Sequence, residues 1–363
     1  MRHQIICSVL CILLLHVHGV TAAQKLFSHN ASVGFQGHYG SFLAREPKAL
    51  YLRDSYTHFG EIYYQRMVGE SAAPLQPSWG VGLFHGATGS HRYIGSMSGA
   101  YSFLQFPLFR AGALSSSIRS GMGLGWIEKP YNKDHNYKNA LIGSHLNGYF
   151  HVLVQAQYQL SGRVFANAGL SFSHLSNGTT TIPNLGLNIP ALSLGVGYRF
   201  TEQQQPVAPA VVPADRPQGR NRLALYSTAA LKQYPWVGSK RYLINALTAE
   251  WGRRYSRNNV LGAGLTAFYN PSLEVDPSAP IPIKRDGTKL QAGLYASWEH
   301  TVGRIAIPLQ LGTYVFNKLD NPPLYQQLGL RYRISPRWRG QMLLKTHMGR
   351  ADFIHAGLGY QIK

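Results

Sequence analysis

The chain has 363 residues, only 14% of them charged, and its 35 lysines and arginines against 15 aspartates and glutamates give a net charge of +20. Glycine (38 residues) and tyrosine (22 residues) are abundant. Beyond the N-terminal segment, no apolar run approaches the roughly 18 residues that a membrane-spanning helix requires. The basic residues are spread over strand ends and turns, as in GRRYSR and RYRISPRWR, and do not form one run. This distribution, together with the export signal described next, argues against a nucleic-acid-binding protein.

The N-terminal segment MRHQIICSVLCILLLHVHGVTAAQ has the features of a cleaved secretory signal. It carries an early charge at Arg2, an apolar stretch from Ile5 to Val17 and small residues ending at Ala23. We therefore expect residues 1–23 to be a signal peptide. Both cysteines, Cys7 and Cys11, lie within this segment, so we expect an exported chain without disulfides.

Apolar side chains alternate with polar or small ones through the rest of the chain. The stretch LNGYFHVLVQAQYQ, residues 146–159, has Leu, Phe, Val and Tyr at even positions and Asn, His and Gln at odd positions. A period of two indicates β-strands with one apolar face. The polar face suits a hydrogen-bonded lumen, and aromatic residues at strand ends suit the two membrane interfaces. An antiparallel transmembrane β-barrel is therefore favoured over a soluble β-sandwich.

The alternating segments fall into two groups of about eight. The first group lies near residues 31–39, 55–65, 78–87, 91–104, 116–127, 146–158, 163–175 and 191–200. The second lies near residues 222–232, 240–252, 258–269, 288–299, 302–314, 324–334, 337–347 and 352–362. Between them, TEQQQPVAPAVVPADRPQGR is a linker by composition. We therefore expect a barrel over 24–200, a linker over 201–220 and a second barrel-like repeat over 221–363.

The two halves also resemble one another. YQLSGRVFANAGLSFSH, ending at His174, is similar to YRISPRWRGQMLLKTH, ending at His347, and GVGYRF is similar to GLGYQI. Two eight-stranded barrels in tandem and one barrel of sixteen strands are both compatible with this repeat. The linker mildly favours the tandem, because turns on the periplasmic side of such barrels are usually short.

The stretch SFSHLSNGTTTIPNLGLN, residues 171–188, contains the candidate chemistry. Strand parity puts His174 and Ser176 on the lipid-facing row, and Asn188 of the returning strand joins the same row. Polar groups on a lipid-facing surface are costly and usually indicate function. An imidazole two residues before a hydroxyl can take its proton for attack on an ester. The alternative is a polar loop whose side chains only make local turn bonds.

The stretch SHLSNG…PNLGLNIPALSLGVGYRF resembles the outer-membrane lipid A 3-O-deacylase family, also described as acyloxyacyl hydrolase-like. The preceding GLGWIEKPYNKDHNYKNALIGSHLN is similar to relatives of the Bacteroidetes type. The resemblance covers roughly residues 50–200, and the second half is similar to an extension found in part of the family. It implies an eight-stranded barrel that cleaves an ester-linked acyl chain of lipid A on its membrane-facing wall.

The resemblance also implies roles for individual residues. His174 matches the general base and Ser176 the nucleophile. The oxyanion turn matches Asn177 and Gly178, with Asn184 as a side-chain helper. Where the family has an acid that orients the imidazole, this chain has Asn188. An amide oxygen can fix the imidazole tautomer but cannot stabilise the imidazolium as a carboxylate does.

Two functions follow from these observations. The first is an outer-membrane esterase that acts on lipid A, with lipopolysaccharide and outer-membrane lipids as its partners and no cofactor or metal. The second is a non-catalytic barrel, either a pore or a structural lipopolysaccharide-binding protein.

His347 has no following serine and its parity places it in the lumen, so we expect a structural role for it. The sequence leaves the oligomeric state open.

Overall fold

The computed structural model describes residues 31–43, 47–67, 77–201, 221–256, 258–276, 288–319, 323–348 and 350–362. The predicted signal peptide, residues 1–23, lies outside these ranges, as does the predicted linker apart from its first residue. In the part of the chain that is described, no helix is long and apolar enough to cross a membrane.

Sixteen β-strands make up nearly all the regular structure of the described residues. The first eight are β1 (Ala31–Gly40), β2 (Thr57–Met67), β3 (Ser78–Ala87), β4 (Ser96–Ala111), β5 (Leu114–Ile127), β6 (Leu146–Gln159), β7 (Val164–Ser176) and β8 (Leu187–Arg199). The other eight are β9 (Asn221–Gln233), β10 (Arg241–Arg254), β11 (Asn259–Tyr269), β12 (Leu290–Val302), β13 (Ile305–Phe316), β14 (Leu324–Arg333), β15 (Trp338–His347) and β16 (Arg350–Gln361). Two 3-10 helices, Pro47–Leu52 and Pro271–Glu274, lie in loops.

Each group of eight strands closes into its own antiparallel barrel, with neighbours in chain order. In the first barrel β1 closes against β8, from Ser32↔Arg199 to Gly40↔Ala191. In the second barrel β9 closes against β16. The predicted all-β barrel fold is confirmed, and the two closures decide between the arrangements that the sequence left open in favour of the tandem. Closure satisfies the backbone groups that an open sheet edge would expose to lipid.

Most strands begin and end within a few residues of the predicted segments, but two begin elsewhere. The fourth begins at Ser96 instead of near 91, because residues 88–95 form a turn in which Gly89 and Gly95 have φ of +86° and +74°. Asp54 accepts the backbone N–H of His91 in this turn at 2.9 Å. The eighth strand begins at Leu187, four residues before the predicted start.

The alternation predicted from the sequence determines which side chains face outward. In β5, Arg119 is fully buried, whereas Leu124 and Trp126 are 55% and 52% exposed. In β8, Leu194 is 68% exposed and the neighbouring Ser193 is buried. The apolar rows therefore form the outer walls of the barrels, and the polar rows line the lumens.

The lumen of the first barrel is filled by aromatic rings around a buried ion pair. Arg119 donates to Glu61 Oε1 at 2.6 Å, and the Tyr101 hydroxyl donates to Glu61 Oε2 at 2.7 Å. The Arg119 guanidinium also lies 4.3 Å over the ring of Tyr63. A buried charge is tolerated only when it is paired and hydrogen-bonded, and each charge here meets both conditions.

The second lumen contains a similar arrangement with two carboxylates. Arg331 donates to Glu250 and to Glu299, each at 2.7 Å, and Arg222 donates to Glu299 at 2.5 Å and 2.9 Å. The Tyr295 hydroxyl donates to Glu250 at 2.9 Å. Side chains therefore fill the middle of both lumens.

The two ends of each barrel differ in the length of their connections. At one end of the first barrel the connections span 41–56, 88–95, 128–145 and 177–186, whereas at the other end 112–113 and 160–163 are short and 68–77 has ten residues. In the second barrel, three connections at one end (234–240, 270–289 and 317–323) are longer than the three at the other end (255–258, 303–304 and 334–337), and the fourth, 348–349, is short. Outer-membrane barrels have long extracellular loops and short periplasmic turns. We call these the loop end and the turn end.

Replacing Glu61 by Ala should strongly destabilise the first barrel, because Arg119 would keep its charge in the lumen without a carboxylate. Breaking a buried ion pair in this way costs about 3–5 kcal/mol. We expect a lower urea midpoint for unfolding, measured by the heat-dependent gel shift of the folded barrel. Asp134→Ala removes an exposed carboxylate from a loop and should leave the midpoint unchanged. Equal midpoints for the two variants would contradict this account of the lumen.

Candidate active site

Strands β7 and β8 bring the polar residues of the predicted motif together on the outer wall. His174 lies directly opposite Asn188 in the strand register. Ser176 follows two residues later and therefore shares the face of His174. Leu170 of the same row is 65% exposed, whereas Ser173 of the alternate row is buried in the lumen. The structure thus places His174 and Ser176 on the lipid-facing row, at the loop end.

A short hydrogen bond links the two strands across this row. His174 Nδ1 lies 2.7 Å from Asn188 Oδ1. Because an amide oxygen can only accept, Nδ1 carries the hydrogen and the lone pair of Nε2 is left free. The backbone carbonyl of Asn188 accepts the N–H of Leu43 at 2.7 Å, which fixes the start of β8 against the β1–β2 loop. The imidazole therefore has both its tautomer and its orientation set.

Ser176 is a nearly buried residue beside this imidazole, with only 5% of its surface exposed. Between these two described side chains there is no hydrogen bond. Residues two apart on a strand have Cα atoms roughly 6.6 Å apart, so a change in the Ser176 rotamer can bring its hydroxyl to His174 Nε2. Catalytic hydrogen bonds are often long in the free enzyme and shorten when substrate binds.

Residues 177–186, which we call the active-site loop, connect β7 to β8. The backbone N–H of Asn177 donates to Asn184 Oδ1 at 3.0 Å. The side-chain amide of Asn177 donates to Ser144 Oγ at 2.8 Å and to the carbonyl of Thr181 at 3.0 Å. The N–H groups of Asn177 are thus used to hold the loop together.

Two of the predicted oxyanion residues have an N–H group that no hydrogen bond among the described residues uses. Asn184 Nδ2 is buried and has no hydrogen-bond acceptor among the described residues. Its Oδ1 accepts the backbone N–H of Asn177, the residue after Ser176. Gly178 has φ of +58°, and none of the described hydrogen bonds uses its backbone N–H. Of the predicted oxyanion residues, Asn184 and Gly178 therefore have free donors, whereas the donors of Asn177 are occupied.

Gly186 allows the end of the loop to approach the imidazole closely. A Cβ at this position would lie 2.7 Å from His174 Cε1, and φ is +78°. Both features require glycine. The N–H groups of Leu185 and Gly186 donate to the carbonyl of Leu141 at 3.0 Å and 3.2 Å, so the β5–β6 loop holds this segment against His174.

The second barrel touches the active-site loop through main-chain and side-chain hydrogen bonds. Gln233, the last residue of β9, donates its N–H to the carbonyl of Thr179 at 2.8 Å. Its Oε1 accepts the N–H of Ile182 at 2.7 Å. The hydroxyl of Thr179 donates to the carbonyl of Asp352. The loop is therefore held from both sides, by the first barrel and by the mouth of the second.

An apolar contact between the barrels lies beside these hydrogen bonds. A Cβ added at Gly178 would lie 2.5 Å from Ile354 Cγ1, and one at Gly148 would lie 3.6 Å from Ile354 Cδ1. Gly148 is the residue opposite Ser176 in the β6–β7 register. The two barrels therefore meet at the residues that flank Ser176 in the sequence and in the sheet.

Other residues considered from the sequence lie elsewhere. His347 faces the lumen of the second barrel, where its Nε2 lies 2.9 Å from the Tyr314 hydroxyl. The carboxylate of Glu128 accepts the N–H and the hydroxyl of Ser96, each at 2.9 Å. Within the described ranges, no carboxylate forms a salt bridge with His174. Asn188 is therefore the polar partner of the imidazole.

One cluster has the composition of a metal site. His38, Glu61 and His151 are buried in the first lumen with ligand atoms within 4.8 Å of one another. Arg119 lies 2.6 Å from the same carboxylate, and Tyr101 occupies its second oxygen. A guanidinium at this distance opposes a cation, so we interpret the cluster as part of the lumen network.

Sequence reasoning missed the residues that support the loop. Ser144, Gly186 and Gln233 are 32, 10 and 57 residues away from Ser176 along the chain. Of these three residues, only Gly186, which stands just before β8, could have been noticed from the sequence. Its closeness to His174 depends on the conformation of the loop.

The model of lipid A 3-O-deacylase (PagL) matches residues 58–200, and that of the acyloxyacyl hydrolase C-terminal domain matches residues 221–363. No curated protein sequence matches the chain.

Among solved structures, Neisserial surface protein A is 10% identical, with 47% of this chain and 96% of that chain covered and a TM-score of 0.34. The outer membrane enzyme PagL is 13% identical, with 45% of this chain and 97% of that chain covered and a TM-score of 0.31. Each family model matches one of the two barrels. The chain is therefore an outer-membrane barrel protein whose first barrel is similar to the lipid A 3-O-deacylase (PagL) family and whose second barrel is similar to the acyloxyacyl hydrolase C-terminal domain.

Proposed function

We propose that the protein hydrolyses an ester-linked acyl chain of lipid A, with Ser176 as nucleophile and His174 as base. The observation that carries this proposal is the hydrogen bond of 2.7 Å between His174 Nδ1 and Asn188 Oδ1 on the outer wall. It leaves Nε2 as a base on the same row as the Ser176 hydroxyl, two residues away on β7.

The first half of the reaction forms an acyl-enzyme. His174 Nε2 removes the proton of Ser176, and the oxygen attacks the carbonyl carbon of the acyl ester. The carbonyl π electrons move to the oxygen, which becomes negatively charged. When this intermediate collapses, the sugar oxygen leaves and takes the proton from the imidazolium.

The second half restores the enzyme. His174 Nε2 takes a proton from water, and the hydroxide attacks the acyl-serine carbonyl. Collapse of the second intermediate releases the fatty acid and returns the proton to Ser176. No cofactor or metal enters either half.

The negative oxygen of both intermediates needs hydrogen-bond donors. The buried amide of Asn184 and the backbone N–H of Gly178 are two donors on the loop after Ser176 that no hydrogen bond among the described residues uses. Donors already in place at a site of developing charge stabilise the transition state without reorganisation. Asn177 contributes by fixing Asn184, because its backbone N–H donates to the Asn184 oxygen.

The acyl chain of the substrate has an apolar surface to follow. Below His174, the outer row continues with Phe172 and Leu170, and the neighbouring strand adds Leu192. Leu170 and Leu192 are 65% and 63% exposed. An ester at the height of Ser176 therefore leaves its hydrocarbon in the bilayer.

The substitution of Ser176 by Ala tests this function. Cells that produce the wild-type protein should contain lipid A that lacks one ester-linked acyl chain, which mass spectrometry detects. In the variant, the rate of deacylation should fall at least about 10³-fold. Ser227→Ala removes an exposed outward-facing serine of the second barrel and should not change deacylation. Identical lipid A with and without the wild-type protein would instead favour the non-catalytic alternative.

An acid at position 188 should increase activity. Asn188→Asp places a carboxylate oxygen where the amide oxygen now lies, and a carboxylate stabilises the imidazolium that forms during attack. We expect kcat/KM for fatty acid release from purified lipid A to rise at least about tenfold, or ~1.4 kcal/mol. Asn188→Leu removes the acceptor and should lower it on the order of 10²-fold. If Asn188→Asp is no faster than the wild type, the amide is not what limits this site.

A further inference from the structure

The turn end of the second barrel contains a cavity of about 920 Å³ with a wall rich in arginine. Five arginines line it: Arg222, Arg254, Arg304, Arg333 and Arg339. The other residues of the wall are neutral. We call this cavity the arginine pocket.

Two glutamates beneath the pocket compensate only part of its charge. Glu250 and Glu299 are shared between Arg222 and Arg331 in the lumen network. Arg339 lies 3.6 Å from Glu299, its nearest carboxylate. Arg304 and Arg333 add their charges with no carboxylate among the lining residues. The described residues that line the pocket, taken together with Glu250 and Glu299 beneath it, thus have an excess of positive charge.

The pocket is closed on its inner side. Arg331 spans the lumen to Glu250, and Gln310 donates to the same carboxylate at 3.3 Å. Tyr295 completes this layer with its hydroxyl bond to Glu250. A ligand must therefore enter and leave through the turn end, which faces the periplasm in an outer-membrane barrel.

We propose that the arginine pocket binds a small molecule carrying phosphate groups. Arginine presents a planar fork of N–H donors that matches phosphate oxygens, and its charge persists at all physiological pH values. The volume lies within the usual range of small-molecule sites, roughly 300–1,000 Å³. A ligand with two or more negative charges would neutralise the excess charge of the wall.

Calorimetric titration of the full-length protein in a non-ionic detergent with inorganic pyrophosphate tests this site. We expect saturable binding that weakens with added salt, and at least tenfold weaker binding in the double variant Arg304→Ala/Arg333→Ala. Arg253→Ala is the matched control, since this exposed arginine is at the same end but faces outward, and its affinity should equal that of the wild type.

Absence of pyrophosphate binding, or equal affinities in the double variant and the wild type, would overturn the proposal. The heat-dependent gel shift establishes that the double variant is folded. Titration in the presence of bilayer nanodiscs containing phosphatidylglycerol distinguishes the source of phosphate. Competition would identify a lipid headgroup as the ligand, whereas unchanged pyrophosphate affinity would identify a soluble compound.

A second inference comes from the contacts at the loop end and rests on the proposed function. Thr179 has φ of +63°, a conformation that a β-branched residue rarely adopts. Such a conformation persists where the surroundings hold it in place. Here Gln233 and Asp352 hold it, and both belong to the second barrel.

We infer that the second barrel positions the oxyanion donors of the first. Gln233 bonds the loop at Thr179 and at Ile182, so it spans the segment between Gly178 and Asn184. Ile354 packs against Gly178 from the same side. These contacts fix the two free N–H donors relative to Ser176, and Gln233 and Thr179 are therefore positioning residues.

Two substitutions in the full-length protein separate positioning from a general structural role. Thr179→Val removes the hydroxyl bond to Asp352, and Gln233→Ala removes the side-chain bond to Ile182. Each should lower kcat at least tenfold, because the N–H donors that stabilise the transition state move. KM should change little, because the lipid-facing wall that the acyl chain follows stays intact. Thr179→Ser keeps the hydroxyl and should restore activity. Lys240→Ala, in the exposed β9–β10 turn, should match the wild type.

The outcome also separates this inference from the proposed function. If the wild type releases no fatty acid, the proposed function fails. If the wild type is active and Thr179→Val and Gln233→Ala retain its kcat, only the positioning role fails. Equal losses in Thr179→Ser and Thr179→Val would also contradict it.

Discussion

The structure depends on one geometric constraint, the strict alternation of side chains along strands that are closed into barrels. Closure fixes the register of every strand, and register decides which side chains meet lipid and which fill the lumen. A shift of one residue in β7 would turn His174 into the lumen and expose Ser173 to the membrane. The β6–β7 and β7–β8 pairings prevent this shift, since each continues over most of the strand. The outward orientation of His174 and Ser176 is therefore set by backbone pairing and not by the polarity of these side chains.

The same alternation produces lumens that need internal charge compensation. Glu61 with Arg119, and Glu250 and Glu299 with two arginines, are buried pairs that tie strands across each barrel. Removing one partner would leave a charge in a poorly hydrated interior, so these networks act as units. They keep the barrel cross-section fixed, and the outer wall can then hold polar residues in a constant position. Rigid strands are the support that a site on a lipid-facing surface requires.

The sequence was sufficient to predict what depends on period and parity. It indicated two groups of eight strands, the outward row of His174 and the position of Asn188 on the neighbouring strand. It did not predict the turn at 88–95, because the positive φ values of Gly89 and Gly95 interrupt a segment that otherwise alternates. It also did not predict that the N–H groups of Asn177 would be used within the loop. Such bonds depend on the path of the loop and on the neighbouring barrel, which no local pattern describes.

The charges of the second lumen connect to the geometry of the active-site loop. Asp352 pairs with Lys232 at 2.5 Å and with Lys345 at 2.8 Å, so its side chain is fixed at the mouth of the second barrel. Its backbone carbonyl accepts the hydroxyl of Thr179 from the first barrel. Because Lys232 directly precedes Gln233, the ion pair also anchors the end of β9 that bonds the loop. An ionic cluster inside one barrel thereby fixes a loop outside the other, and the proposed site has contacts with both barrels although its proposed reacting groups come from the first alone.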